Sequence, residues 1–170
     1  FIEGDNKFYI EYMHSPILLT SDEVNMNEWI HIAITKEIYL QSSGNIKMYI
    51  NGIFQNEETI EGPISFTQSL IGNATEGGPS FPGRIDNFRI WERSLTNSEI
   101  LSNIDNELYT DYYLIANWRF NSGEGDILYD HSGNGSHGII SGASWVLNSL
   151  SGDLNYDGLV NVLDVVILVN

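Results

Sequence analysis

Asn51-Gly52 stands between two apolar segments, and no other feature limits the folding of this chain as tightly. A type I′ turn needs positive φ at both central residues, which Asn and Gly tolerate best, so the dipeptide predicts a β-hairpin. Before it, Asn45-Ile46-Lys47-Met48-Tyr49-Ile50 sets Ile46, Met48 and Ile50 on one strand face. After it, Ile53-Phe54-Gln55 is the returning strand. Trp29-Ile30-His31-Ile32-Ala33-Ile34-Thr35 repeats the alternation with Ile30, Ile32 and Ile34. Further strands are expected at 7–13, 17–20, 69–72, 84–91, 113–120, 137–140 and 144–147. Short strands separated by Gly, Asn and Ser predict an all-β fold, an antiparallel β-sandwich of jelly-roll type. One helix interrupts it. Thr96-Asn97-Ser98-Glu99 is a capping box, and Ile100, Leu101 and Ile104 follow at helical spacing, which predicts a short helix over 97–105.

Seven Lys plus Arg against 23 Asp plus Glu leave a formal charge of −16 on 170 residues. Nucleic acid is thereby excluded as a partner class, because duplex binding needs cationic side chains to replace condensed counterions. The longest apolar stretch, 159–169, is broken by Asn161 and Asp164, so no membrane span is expected. An apolar content of 42% suits a globular domain large enough to bury a core without staples. With no cysteine, a disulfide framework, a thiolate zinc site and a Cys nucleophile are excluded. The chain opens on Phe1 in the middle of a pattern and reads as a fragment of something longer.

After the polar joint 148–152 the texture changes. Asp153-Leu154-Asn155-Tyr156-Asp157-Gly158-Leu159-Val160-Asn161-Val162-Leu163-Asp164 places oxygen side chains at loop positions 1, 3, 5, 9 and 12, with Gly158 at position 6. Ca²⁺ takes six to eight oxygens, and this spacing gathers Asp153, Asn155, Asp157, the Leu159 carbonyl, Asn161 and Asp164 round one point. Val160 is placed as an apolar anchor. The competing reading is an Asn/Asp-rich turn before a helix. Asp164 stands where a longer Glu is usual, which shortens the bidentate arm. The segment resembles the first repeat of a type I dockerin. That resemblance implies calcium as cofactor and a cohesin-like domain as partner. The second repeat is absent from the chain, and Val162-Leu163 replaces the family's frequent Ser-Thr recognition pair.

Three stretches of the larger part carry a second resemblance. They are 29–35 with Lys47-Met48-Tyr49-Ile50-Asn51-Gly52, then Phe81-Pro82-Gly83-Arg84-Ile85-Asp86-Asn87-Phe88-Arg89-Ile90-Trp91, then Ala116-Asn117-Trp118-Arg119-Phe120 with Gly123-Glu124-Gly125, Asp130–Gly135 and Trp145. Together they resemble the laminin-G-like, concanavalin A-like lectin/glucanase jelly roll. The expected organisation is this domain over 1–147, N-terminally incomplete, a linker over 148–152, and the first half of a dockerin-like calcium module over 153–170.

That superfamily holds both binders and glycosidases, so the chemistry must decide. Its glucanases carry Glu-x-Asp-x-Glu or Glu-x-Asp-x-x-Glu on a strand, and a retaining pair stands roughly 5–5.5 Å apart. The corresponding strand here offers Arg84 and Phe88 beside Asp86, so no acid/base pair is found and catalysis is not expected. Asp86 is either a charge held by Arg84 or Arg89, or a ligand for calcium or a sugar hydroxyl. Asp130, Ser132 and Asn134 alternate in a glycine-bearing loop, which reads either as a second metal or ligand loop or as an Asx-type turn. Tyr109, Tyr112 and Tyr113 form a candidate sugar platform, whereas Trp29, Trp91, Trp118 and Trp145 are expected to pack. His131 and His137 lack the third ligand that zinc requires.

The expected function is a non-catalytic carbohydrate-binding or adhesion module of a secreted or surface bacterial protein, with a calcium-binding tail for attachment. Two alternatives stand beside it. One is an accessory region of a polysaccharide-degrading glycoside hydrolase whose catalytic domain lies elsewhere. The other is a structural spacer without a sugar site.

Overall fold

Asn51 and Gly52 carry φ of 50° and 74°, the paired positive angles of a type I′ turn. They join Gly44–Ile50 to Ile53–Ile60, the fourth and fifth of nine strands among the described residues. The computed structural model describes residues 6–10, 19–25, 28–38, 43–61, 70–73, 80–104 and 111–146. The expected linker 148–152, the calcium loop and helix over 153–170, and Tyr109 lie outside them. In chain order the elements are β1 (Tyr9–Ile10), β2 (Leu19–Thr20), β3 (Ile32–Ile38), β4 (Gly44–Ile50), β5 (Ile53–Ile60), β6 (Phe88–Trp91), α1 (Asn97–Ile104), β7 (Leu114–Trp118), β8 (Ile127–Leu128) and β9 (Gly138–Ile139). Two compact units result: Phe1–Arg84 with Trp91–Tyr109, and Ile85–Ile90 with Thr110–Asn170. Antiparallel pairs and one short helix are the elements of a β-sandwich.

In the first unit, β4 is the centre of a β3-β4-β5 sheet. Ile46, Met48 and Ile50 share one face of β4, and all three are buried with Leu19 and Ile60; Phe8, Ile10, Val24 and Ile30 pack against that cluster. Each such side chain, fully buried, stabilises the fold by roughly 1.5–3 kcal/mol. On β3 the alternation behaves differently. Ile32 pairs with Ile50 and Ile34 with Met48, so they share the core face, yet Ile34 is 54% exposed while Thr35 on the other face is buried. Among the described residues β3 has a strand neighbour on one side only, and neither Ile32 nor Ile34 belongs to the buried cluster.

Strand β5 outruns its apolar letters. Only Ile60 of its far end is buried, but ladder pairing to β4 carries the polar run to Thr59↔Asn45 and Ile60↔Gly44. The register steps between Met48 and Tyr49, leaving Gln55 as the extra residue of a bulge. Helix α1 begins where the capping box places it. The Thr96 amide donates to Glu99 Oε2 at 2.7 Å, and the Glu99 amide donates to Thr96 Oγ1 at 3.3 Å. Arg93 adds two bonds to the same carboxylate, at 2.6 and 3.0 Å. Ile100 is the buried residue of the helix.

In the second unit β6 pairs with β7, and β8 with β9. The strand expected over 84–91 starts only at Phe88. Asn87 has a φ of 50°, and its amide donates to Asp86 Oδ1 at 2.8 Å, so a turn precedes the strand. Residues 144–146 form no strand. The Trp145 indole instead donates to the Gly125 carbonyl at 2.8 Å. No helix among the described residues is long and apolar enough to cross a membrane.

Candidate functional site: a tyrosine turn and its buttress

Strand β7 is rooted in the second unit by Leu114, Ala116 and Asn117, all buried. Just before it the chain reverses in a turn. The Leu114 amide donates to the Asp111 carbonyl at 3.1 Å, and the Tyr113 amide donates to Asp111 Oδ1 at 2.9 Å. Asp111 thus closes an Asx turn with its own side chain. The two residues at the tip are Tyr112, 91% exposed, and Tyr113. Their rings stand edge to face, with centroids 5.1 Å apart and planes at 88°, a favoured aromatic geometry.

The Asp130–Gly135 loop meets this turn at its base. Asn134 Nδ2 donates to the carbonyls of Leu114 and Ile115, each at 2.9 Å, and the Ser132 hydroxyl shares its one proton between the Ile115 carbonyl at 3.1 Å and Asp130. Asp130 organises the loop. Its Oδ1 accepts the amides of Asn117 and Ser132, both at 2.9 Å. Its Oδ2 accepts the Ser132 hydroxyl at 2.8 Å and the Ser136 amide at 2.9 Å. Burial pushes the Asp130 carboxyl up, but the Ser132, Asn117 and Ser136 amides and the Ser132 hydroxyl outweigh it and hold it below the ordinary aspartate range. The Asp130 amide in turn donates to His137 Nδ1 at 3.0 Å. This pattern, in which carboxylate lone pairs meet donors of the chain itself, is that of the Asx-type turn. Among the described residues no three His, Cys, Asp or Glu side chains gather as a metal group.

Asp130, Ser132 and Asn134 are therefore brought together, and they brace the turn that presents Tyr112. Asp86 is separate from that network in sequence and is exposed, its carboxylate on the Asn87 amide. The tryptophans divide. Trp118 is half-buried, lies 5.8 Å from Phe88 by ring centroids, and donates its indole N–H to the Ser136 carbonyl at 2.8 Å. Trp29, in contrast to the expected packing, is 62% exposed. It precedes β3 and so escapes the ladder that would have fixed it against the sheet. Asp111, Ser136 and His137 were not signalled by the sequence in these roles, because each acts through a backbone group whose position only the fold defines.

The match to a protein family agrees with this architecture. A family profile described as the concanavalin A-like lectin/glucanases superfamily, Laminin_G_3, matches residues 2–101. Human usherin is 28% identical over 118 residues, 62% of this chain. Mouse usherin is 27% identical over 111 residues, 58% of this chain. The chain spans about 2% of the length of these curated relatives. A crystal structure of residues 221–444 of an S-layer domain-containing protein from Clostridium thermocellum aligns with a TM-score of 0.38 and 28% identity, covering 49% of this chain and 43% of that one.

Proposed function

Because this chain belongs to the concanavalin A-like lectin/glucanases superfamily, we propose that it is a non-catalytic carbohydrate-binding or adhesion module of a secreted or surface bacterial protein. Tyr112 carries the reading. A ring left 91% in water, on a turn clamped by Asp111 and braced by Asn134, is a contact surface held ready. Tyrosine joins an apolar ring to a polar hydroxyl, which suits a hydrated ligand with a partly apolar face, such as a pyranose. One observation supports the non-catalytic part: Asp86 lies outside β6, beyond the reach of strand alternation.

The tail belongs to the same proposal. Asp153, Asn155, Asp157, the Leu159 carbonyl, Asn161 and Asp164 would hold Ca²⁺, which would order a dockerin-like loop and helix for attachment to a cohesin-like domain. Its support is the ligand spacing. For the body, the test is a glycan array probed with the wild-type chain and Tyr112→Ala. Binding by the first, and its loss in the second at unchanged melting temperature, is expected. Silence of the wild type across the array would leave the spacer reading in its place.

A further inference from the structure

The sequence holds two Asn-Gly pairs, and the fold treats them differently. At 51–52 the pair is locked. The Asn51 amide donates to the His31 carbonyl, and Asn51 Oδ1 accepts the His31 amide, both at 2.8 Å. Gly52 is buried, and Leu101 fills the space that a Cβ would take. At 134–135 both residues are exposed. Gly133 and Gly135 carry φ of 94° and 73°, and a Cβ on either would meet nothing within 4 Å. Among the described residues the Gly135 amide donates to none, and Asn134 Oδ1 accepts from none. Asn134 still has a task in the fold, since its Nδ2 donates to the Leu114 and Ile115 carbonyls and so braces the tyrosine turn.

We infer that Asn134-Gly135 is a deamidation site, and that the reaction there releases the tyrosine turn. A glycine puts no Cβ in the way of its own nitrogen and bends freely toward the preceding side chain. The Gly135 amide nitrogen gives up its proton and attacks Asn134 Cγ. The new N–C bond closes a succinimide ring while the Cγ–Nδ2 bond breaks, and ammonia leaves with the proton. Water then opens the ring, at Cγ to give aspartate or at the backbone carbonyl to give isoaspartate. An ionised carboxylate has no proton to donate. The Leu114 and Ile115 carbonyls thus lose their donor and face negative charge instead. Asp130 adds to the repulsion, because Ser132 Oγ bonds both Asn134 Nδ2 and Asp130 Oδ2. The bonds on Nδ2 delay the attack, which waits for local opening of the loop. Tyr112 is therefore presented by a fresh chain and let go in an aged one. The chemical step stands apart from the carbohydrate-binding reading above; its effect on binding rests on that reading.

The test is incubation of the full chain at mildly alkaline pH, with conversion at both pairs followed by peptide mass spectrometry. Asn134 is expected to convert about fivefold or more faster than Asn51, because attack at Asn51 first needs Gly52 freed from Leu101. Ser132→Ala removes one acceptor of Nδ2 and should quicken conversion at Asn134 by about twofold or more. The product, made directly as Asn134→Asp, should exchange its Tyr113 and Leu114 amides for deuterium about tenfold faster than the wild type. Those two amides close the turn on Asp111, and the variant has lost its brace. On the glycan array Asn134→Asp should bind as weakly as Tyr112→Ala. Conversion at Asn51 that matches or exceeds that at Asn134 overturns the inference. So does unchanged amide exchange in Asn134→Asp. Silence of the wild type on the array, with conversion and exchange as expected, removes the carbohydrate reading and leaves the deamidation timer standing.

Discussion

The Asp130 carboxylate accepts the backbone amide of Asn117 at 2.9 Å, bridging thirteen residues of chain. Asn117 is fully buried, so water has no access to replace that acceptor. Asp130→Ala would strip an acceptor from three amides at once, those of Asn117, Ser132 and Ser136. An unsatisfied buried group costs about 1–3 kcal/mol, and the Ser132 and Ser136 amides regain water in part. A loss of about 3 kcal/mol is expected for Asp130→Ala in urea denaturation, against about 1 kcal/mol for Ser132→Ala. Similar losses for the two variants would show that Asp130 does not organise the loop.

That carboxylate also marks where the sequence stops being informative. Asn51-Gly52 and Thr96-Glu99 were legible because each is a local rule, satisfied by residues within a few positions of one another. The face of Ile46, Met48 and Ile50 was legible because β4 has a strand on either side and its alternation meets a real core. Strand β3 has the same letters but, among the described residues, no second neighbour, and Ile32 and Ile34 remain partly exposed. The polar run of β5 and the two-residue β8 gave no periodic signal, since ladder partners and not their own side chains hold them in extended form. At the site, the alternation of Asp130, Ser132 and Asn134 was visible. Its destination was not, because the partners on β7 are backbone groups thirteen to twenty residues away.

Gly52 is required twice over. Its φ of +74° disfavours any side chain, and a Cβ there would stand 2.2 Å from Leu101 Cδ2. The positive φ alone costs about 1–2 kcal/mol in an L-residue. Gly52→Ala should therefore lower stability by about 2 kcal/mol or more in urea denaturation, the clash adding to the backbone strain. Combining it with Leu101→Ala relieves the contact and leaves the strain. Recovery of only part of the loss beyond the cost of Leu101→Ala itself is the expected result; full recovery would show that the turn tolerates a side chain.

Glu99 couples the start of α1 to pH. Bonds from the Arg93 guanidinium, then from the Thr96 amide and hydroxyl, lower its carboxyl from 4.5 to about 2. A carboxyl whose pKa is lower in the folded state binds its proton more readily once unfolded. Its stabilising contribution is therefore whole above about 4.5 and is lost as pH falls toward 2. The melting temperature of the wild type should fall across that window more steeply than that of Glu99→Gln, which has no such proton to take up. Arg93→Ala should make that fall smaller and end it at higher pH, because it removes the first cause of the depression. Parallel pH profiles for wild type and Glu99→Gln would place the acid sensitivity elsewhere.

In the tail, charge sets the affinity for calcium and Tyr156 reports on it. Calcium affinity in such loops follows the number of carboxylates and the rigidity of the loop. Asp153 and Asp157 supply two of the three carboxylates, at positions 1 and 5. Asp153→Ala and Asp157→Ala should each weaken calcium binding by at least about tenfold. Tyr156 sits between ligands and provides a local reporter, since terbium bound in the loop would be excited through its ring. Terbium luminescence should appear in the wild type, be displaced by calcium and vanish in Tyr156→Phe, with calcium heat retained in that variant. Ser132→Ala should change neither signal, because Ser132 belongs to the loop that braces β7. Calcium heat that survives both Asp153→Ala and Asp157→Ala but falls in Ser132→Ala would move the ion from the tail to the body of the domain.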